Sequence, residues 1–151
     1  RYTPYIIETS AGLTREVLML PCDAYDEEKV ADKGNDDDWR AVLRFHPTIA
    51  PITVAVLPLM KKDGLADLAQ EIRQELKEDY NTDYDQSGAI GRRYRRQDEA
   101  GTPFCVTVDY ESKENGTVTL RFRDSMEQVR VPKSELAERI RKEIKEYKRT
   151  K

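Results

Sequence analysis

The fold is decided by a continuous apolar run with a single threonine, Ile52-Thr53-Val54-Ala55-Val56-Leu57, which Pro58 ends. A run without alternating polar residues is typical of a strand buried on both faces, as in a parallel sheet covered by helices. Residues 64–79 follow with apolar side chains at helical spacing and predict an amphipathic helix. Those side chains are Leu65, Leu68, Ala69, Ile72 and Leu76.

Further elements follow as far as the C-terminal end of the sequence. We expect a weak strand at 80–85, a helix at 87–99, a buried strand at 102–110, strands at 117–123 and 127–131, and a last helix from Pro132. Asn115-Gly116 predicts a hairpin turn. The order from residue 52 is β-α-β-α-β-β-β-α, which predicts an α/β fold with a mixed sheet and helices on its faces. Ligands of such sheets bind beyond the carboxyl ends of the strands.

The first 49 residues have a different character. Residues 2–9 predict a strand, and residues 11–25 predict a helix with Ser10 at its N-cap. Residues 26–38 are polar and acidic, which favours a solvated excursion. The connector at 46–51 contains two prolines, and we expect the domain boundary there.

Composition limits the class of protein. The chain has 151 residues, of which 38% are hydrophobic, so it can build a core. It has no run of 18 apolar residues and no secretion signal, so we expect no membrane partner and a cytoplasmic location. Two cysteines and one histidine exclude a disulfide framework and argue against a metal site. The sequence begins with Arg1 rather than Met, which indicates a piece of a longer protein.

The formal net charge of −3 hides an uneven distribution. Residues 23–38 hold eight acids and two lysines, a local charge of −6, whereas the remainder has 24 bases and 21 acids, or +3. Charges act over about 8–10 Å in physiological salt, so a local basic run can attract phosphate despite the overall sign. Four arginines fall within five positions of the predicted 87–99 helix: Arg92, Arg93, Arg95 and Arg96.

One face of that helix has the spacing of a nucleic-acid contact, with residues at i, i+3, i+4 and i+7. These residues are Arg92, Arg95, Arg96 and Glu99. Arginine pairs with phosphate through two hydrogen bonds and stacks on bases. A solvated helix with internal Arg–Glu pairs explains the same spacing equally well. Arg121 and Arg123 share one face of their strand and could extend the basic surface, although exposed arginine on a strand is ordinary.

A second candidate site lies near the N-terminus. Glu8 and Ser10 end the predicted strand, Gly12 permits close approach of a ligand to the backbone, and Arg15 falls one turn into the helix. A carboxylate and a hydroxyl could hold an ammonium group, and the arginine could hold a phosphate. Helix capping and an ordinary surface arginine explain the same residues.

Together these segments resemble glycyl-tRNA synthetases, a family of class II aminoacyl-tRNA synthetases, specifically the C-terminal portion of the dimeric bacterial type. Glu8-Thr9-Ser10-Ala11-Gly12-Leu13-Thr14-Arg15 is similar to class II motif 3. The segments 50–59, 87–99, 101–104 and 124–130 look like parts of the anticodon-binding domain of that family. Thr14 departs from the family pattern, which has an acidic residue before the motif 3 arginine, and residues 26–38 lie outside the pattern.

The resemblance implies a three-layer α/β/α anticodon-binding domain with a five-stranded mixed sheet at 50–151. A strand-helix remnant of the class II catalytic domain precedes it at 1–49. It implies that Glu8 and Ser10 contact the ammonium group of glycine and that Arg15 contacts the phosphates of ATP. The expected contacts to the tRNA anticodon are Ser87, Arg95, Glu99, Arg121 and Arg123.

The resemblance also implies an activity and partners for the parent protein. It would be a homodimer that ligates glycine to glycine tRNA with ATP through glycyl-adenylate. Mg²⁺ would accompany the ATP, with ligands outside this sequence. Motifs 1 and 2 are absent here, so we expect no catalytic residues and no aminoacylation by these 151 residues alone. Glycine-dependent pyrophosphate exchange by this chain would contradict that expectation.

Two other interpretations stay open. The chain could be a free-standing anticodon-binding-like accessory subunit without synthetase chemistry, although such a module has no need of Glu8, Ser10 and Arg15. It could also be a flavodoxin-like ligand module, although the segment 58–64 is poorly suited to be the phosphate loop that such a module needs after its first strand.

Overall fold

The computed structural model describes residues 1–30 and 38–148, which form two sheets and five α-helices. The strands are β1 (Tyr25–Lys29), β2 (Trp39–Leu43), β3 (Val54–Pro58), β4 (Thr82–Tyr84), β5 (Phe104–Val108), β6 (Thr117–Phe122) and β7 (Gln128–Pro132). The helices are α1 (Leu13–Ala24), α2 (Leu65–Leu76), α3 (Ile90–Ala100), α4 (Tyr110–Asn115) and α5 (Leu136–Glu146). None of the described helices is long and apolar enough to cross a membrane.

The larger sheet has five strands in the order β4-β3-β5-β6-β7. Strand β3 is parallel to both of its neighbours, β4 and β5, so that Val56 lies opposite Tyr84 on one side and Val106 on the other. The pairs β5–β6 and β6–β7 are antiparallel. The mixed sheet predicted from the order of the elements, with the five strands that the resemblance implies, is therefore confirmed.

Helices cover both faces of this sheet. On one face, α2 and α5 pack their apolar stripes, including Leu65, Ile72 and Ile140, against the valines of β3 and β5. On the other face, α3 contributes Ile90 and Tyr94 to a smaller cluster with Ala55, Leu57 and Cys105. Strand β3 is buried along its whole length because each face meets a helix. The predicted three-layer arrangement is confirmed.

The connection between β5 and β6 differs from the predicted hairpin turn. The six-residue helix α4 replaces it, and Gly116 ends that helix in the left-handed conformation. A reciprocal capping box starts α4: the Asp109 carboxylate accepts from the Ser112 backbone N–H at 3.0 Å, and the Ser112 hydroxyl accepts from the Asp109 N–H at 3.0 Å. The Asn115-Gly116 signal therefore marks a helix end rather than a two-residue turn.

The N-terminal region forms only part of what its sequence predicts. Helix α1 confirms the predicted helix, although Gly12 rather than Ser10 is its N-cap. The strand expected at 2–9 is not formed, and Ile6 and Ile7 are exposed. A strand needs a hydrogen-bonded neighbour, and no strand of the described residues pairs with this segment.

The beginning of the acidic segment forms a strand, which corrects the expectation of a solvated excursion there. This strand is β1, which pairs with β2 in an antiparallel two-stranded sheet. Asp26 and Glu28 form ion pairs with Arg44, whose guanidinium is buried. Asp26 and Glu28 are therefore ion-pair partners of the arginine that follows β2. The acidic sequence alone does not predict this pairing. Residues 31–37 of the segment lie outside the described residues.

Candidate nucleic-acid interface

Helix α3 separates its residues into an inner and an outer face. Tyr94, Gln97 and Asp98 point inward, whereas the outer residues Arg92, Arg96 and Glu99 are exposed and Arg95 is half-exposed. The face predicted from the i, i+3, i+4, i+7 spacing is therefore an exposed surface. Ser87 precedes the helix and is also exposed. We call the outer surface formed by Ser87, Arg92, Arg95, Arg96 and Glu99 the α3 surface.

Arg93 fastens the start of α3 to the carboxyl end of β3. Its buried guanidinium donates to the carbonyl oxygen of Pro58 at 2.6 Å and to that of Leu59 at 3.2 Å. It also donates to the Asp85 carbonyl at 3.2 Å. Because these acceptors lie at the carboxyl ends of β3 and β4, Arg93 fixes the position of α3 relative to the ends of these two strands.

Arg95 and Arg96 are each held by a carboxylate. Arg95 pairs with Asp38 and donates to the carbonyl oxygen of Trp39 at 3.2 Å. Arg96 donates to Asp85 at 3.0 Å and to the Ser87 carbonyl at 2.6 Å. Both ion pairs are partly exposed, so they can exchange one anionic partner for another at low cost.

Asp85 keeps its charge at this site. Burial alone would raise the pKa of its carboxyl, but the Ser87 backbone N–H at 2.7 Å and the charge of Arg96 lower that pKa below its ordinary value. Asp85 therefore stays anionic at neutral pH and holds both Ser87 and Arg96 in place.

A buried ion cluster lies beneath the α3 surface. Asp98 accepts two hydrogen bonds from Arg121, at 2.8 and 2.9 Å, and one from Arg40 at 3.0 Å. All three side chains are buried. Burial lowers the pKa of Arg121, but the hydrogen bonds and charge of Asp98 outweigh it and raise that pKa. The guanidinium of Arg121 also lies 4.7 Å from the centre of the Tyr94 ring.

Arg123 is the second predicted contact that the structure places in the interior. It is 1% exposed and donates to the carbonyl oxygens of Gly101 at 2.8 Å and Phe45 at 2.9 Å. It also pairs with Asp124 at 2.7 Å. The expectation that Arg121 and Arg123 extend an exposed basic surface is therefore corrected: both point to the α3 side of the sheet, where buried acceptors satisfy them. Contact of either with an anticodon base stays a prediction and requires these networks to open.

The second candidate site is not assembled. Glu8 and Ser10 lie in the exposed irregular segment before α1, and Arg15 is exposed in its first turn. Among the contacts described, none joins the side chains of these three residues to one another. Their roles toward glycine and ATP stay predictions.

A cleft of about 620 Å³ opens between the β1–β2 hairpin, the β6–β7 turn and the end of α5. Arg123 is the one predicted site residue in its wall. Both acidic and basic side chains line it, including Glu28, Arg44 and Arg139. This mixed lining has no single charge that would select a ligand.

Sequence reasoning assigned no role to Trp39, and it suggested base edges as the partners of Asp98, which the structure instead buries against Arg40 and Arg121. Asp98 belongs to the inward stripe with Tyr94 and Gln97, a spacing that the sequence contains but that the arginine run obscures. Trp39 follows directly after the acidic run. Nothing in that local sequence predicts that Trp39 lies beside the arginine-rich helix α3. Within the described residues, no group of three or more His, Cys, Asp or Glu side chains could hold a metal ion.

Comparison with known proteins gives matches of three kinds. A family model described as the anticodon binding domain matches residues 53–143. A glycine–tRNA ligase of Treponema denticola is 83% identical over 99% of this chain, and one of Treponema pallidum is 58% identical over 99%. A crystal structure of prolyl-tRNA synthetase from Cryptosporidium parvum with L-proline and AMP is 25% identical over 70% of this chain and 24% of its own, with a TM-score of 0.64.

The chain is much shorter than these ligases. It spans 33% of the Treponema denticola ligase and 36% of the Treponema pallidum ligase, so about a third of each. The match to both ligases includes the region of the motif 3 resemblance as well as the five-stranded sheet, because it covers 99% of this chain.

Proposed function

Because this chain belongs to the anticodon-binding-domain family, we propose that it is the anticodon-reading part of a glycine–tRNA ligase. The observation that carries the proposal is the α3 surface: an exposed arginine-rich helix face with Ser87 and Glu99 at its borders. Arginine is suited to the phosphates and splayed bases of an RNA loop. Membership of the family supports tRNA as the RNA, and the similarity to two ligases supports glycine tRNA.

We propose further that the parent protein joins glycine to its tRNA with ATP and acts as a homodimer. Glu8 and Ser10 would bind the ammonium group of glycine, and Arg15 would bind the ATP phosphates. The match over 99% of this chain, which includes residues 1–49 as well as the sheet, favours this function over a free-standing accessory subunit, which needs none of these three residues.

Among the predicted anticodon contacts, exposure favours Ser87, Arg95 and Glu99 as the residues that touch RNA directly. Arg121 and Arg123 would act from beneath, because Asp98 and Asp124 already occupy their guanidinium groups. Arg95 would leave Asp38 and take a phosphate or base edge in its place. This exchange replaces one anionic partner of the guanidinium by another.

The experiment compares two substitutions that act in opposite directions. Arg95→Ala should weaken binding of glycine tRNA by about 1–3 kcal/mol, because it removes a direct contact. Asp38→Asn should strengthen binding, because it removes the carboxylate that competes with RNA for Arg95. Dissociation constants measured by fluorescence anisotropy at several salt concentrations give both effects.

Arg141→Ala is the matched control. Arg141 is an exposed arginine on α5 that pairs with Asp79 and Glu138, away from the α3 surface. A loss with Arg95→Ala that is similar for all tRNAs, with a salt slope smaller by about one unit, identifies a phosphate contact. A loss confined to glycine tRNA identifies a base contact. Equal affinities for wild type, Arg95→Ala and Arg141→Ala would contradict the proposal.

A further inference from the structure

The single tryptophan of the chain contributes little to the packing of the core. Trp39 begins β2 and is 54% exposed, whereas Arg40 and Val42, which point to the opposite side of the strand, are buried. A tryptophan that packed a core would bury most of its indole surface. Packing in the described structure therefore does not explain why a tryptophan occupies position 39.

One cation lies beside this exposed ring, and a second binds the backbone of the same residue. Arg95 donates a hydrogen bond to the backbone carbonyl oxygen of Trp39, so this arginine contacts the same residue that carries the indole. Lys29, which lies opposite Trp39 in the hairpin, places its ammonium nitrogen 5.8 Å from the centre of the ring. An exposed aromatic ring with cationic side chains nearby is an arrangement with which proteins bind single-stranded nucleic acid.

The position of the ring selects RNA over a protein surface as its partner. Arg95 connects Trp39 directly to the α3 surface, where Arg92 and Arg96 add positive charge. Unpaired loop bases offer flat apolar faces, and the phosphates between them offer negative charge. A single ligand of this kind would use the indole and the guanidinium together.

We propose that Trp39 is the stacking platform of this interface and that its indole packs on an unpaired base of the tRNA anticodon loop. Arg95 then holds an adjoining phosphate in place of Asp38. The inference rests on the proposed function and extends the interface from α3 to the β1–β2 hairpin. Stacking uses the face of the base, so Trp39 contributes affinity for a single-stranded loop and leaves the choice of base to polar contacts.

The solitary tryptophan makes a direct test possible. The 151-residue chain is titrated with a glycine-tRNA anticodon stem-loop while Trp39 emission is recorded, with tryptophanamide titrated in parallel to correct for absorption by the RNA. Anisotropy of a labelled stem-loop gives the dissociation constant independently. We expect saturable quenching of Trp39 with the same dissociation constant, because a stacked base quenches the indole.

Two substitutions separate stacking from charge. Trp39→Ala should weaken binding about 5- to 100-fold without changing the salt slope. Trp39→Phe should keep most of the affinity, because a phenyl ring also stacks. Arg95→Ala should instead reduce the salt slope. Since Trp39 is exposed, circular dichroism should show the fold unchanged in both Trp39 variants.

The results distinguish this inference from the function on which it rests. Wild-type affinity of Trp39→Ala, together with emission that RNA does not alter, overturns the inference and leaves the proposed function intact. The same two results are expected if the indole of Trp39 contacts a protein surface instead of RNA. Failure of the wild-type chain to bind any tRNA by anisotropy overturns both.

Discussion

The arginines of this protein show that residue type alone does not distinguish a ligand contact from a structural one. Arg95 and Arg121 were both candidates for contact with RNA. Arg95 is half-exposed and holds an exchangeable carboxylate, whereas Arg121 is buried with two hydrogen bonds to Asp98. The pairing of β6 with β5 and the packing of α3 decide between these two roles, and both depend on residues far away in sequence.

Asp98 should be among the most stability-sensitive residues. Asp98→Asn leaves the buried guanidinium groups of Arg40 and Arg121 without their shared counter-charge, which should lower the free energy of unfolding by about 3 kcal/mol or more. Urea denaturation followed by circular dichroism measures the loss. The control is Arg141→Ala, whose exposed ion pairs contribute only about 0–1 kcal/mol. Equal midpoints for the two variants would refute this assignment.

Asp124 should make stability depend on pH in the acidic range. Burial raises the pKa of its carboxyl, but hydrogen bonds from Arg123 at 2.7 Å and Tyr147 at 2.9 Å outweigh burial and hold that pKa below 3.8. A depressed pKa contributes stability that is complete above the unfolded value and disappears as pH falls through the folded one.

The difference in unfolding free energy between wild type and Asp124→Asn should therefore be constant above about pH 5 and shrink below about pH 4. Thermal or urea unfolding at a series of pH values measures it. Taking the difference removes the contributions of depressed carboxyls that share no partner with Asp124, such as those of Asp85 and Asp109. A difference independent of pH down to pH 2 would be the opposite result.

At the scale of elements, the end of α3 depends on one glycine. Gly101 closes the helix in the left-handed conformation, with φ of 81°. A Cβ there would collide with the Phe45 ring and lie 3.0 Å from the Leu43 carbonyl oxygen. The N-terminal region therefore packs against the helix end so closely that no side chain fits at position 101.

Gly101→Ala should destabilise the protein by about 2–4 kcal/mol, because backbone strain and overpacking add. Gly88→Ala is the matched control, since Gly88 has a φ of 79° but open space around its Cβ position. It should lose only the strain of about 1–2 kcal/mol. Differential scanning fluorimetry and urea midpoints rank the stabilities of the two variants. Equal losses of stability would mean that the contact with Phe45 costs nothing.

Sequence patterns predicted the strands and long helices whose partners lie within residues 52–148, but not the short helix α4. The apolar run at 52–57 and the amphipathic stripe at 64–79 each predicted one element, and the order of all elements from residue 52 predicted the mixed sheet. The pattern at 2–9 did not form a strand, because a strand is completed by a neighbour that the local sequence does not specify. The outer face of α3 was predictable from helical spacing, whereas the ion cluster of Asp98 required the register of β6.

On the scale of the whole molecule, ion pairs join the N-terminal hairpin to the five-stranded sheet. Arg40 reaches Asp98 on α3, and Arg44 reaches Asp124 at 3.2 Å beyond β6. The division into 1–49 and 50–151 stays a prediction, and these contacts cross it. The hairpin that carries Trp39 and Asp38 is thereby held beside the α3 surface, so the proposed RNA interface draws on both parts of the chain.

The most direct test of anticodon reading is the affinity of the 151-residue chain for two RNAs at one salt concentration. One is glycine tRNA, and the other is the same tRNA with its anticodon exchanged for that of another amino acid. We expect the exchange to weaken binding by about 1–3 kcal/mol, or roughly 5- to 150-fold, because base contacts are lost while phosphate contacts remain. Equal dissociation constants for the two tRNAs would contradict the claim that this chain reads the anticodon.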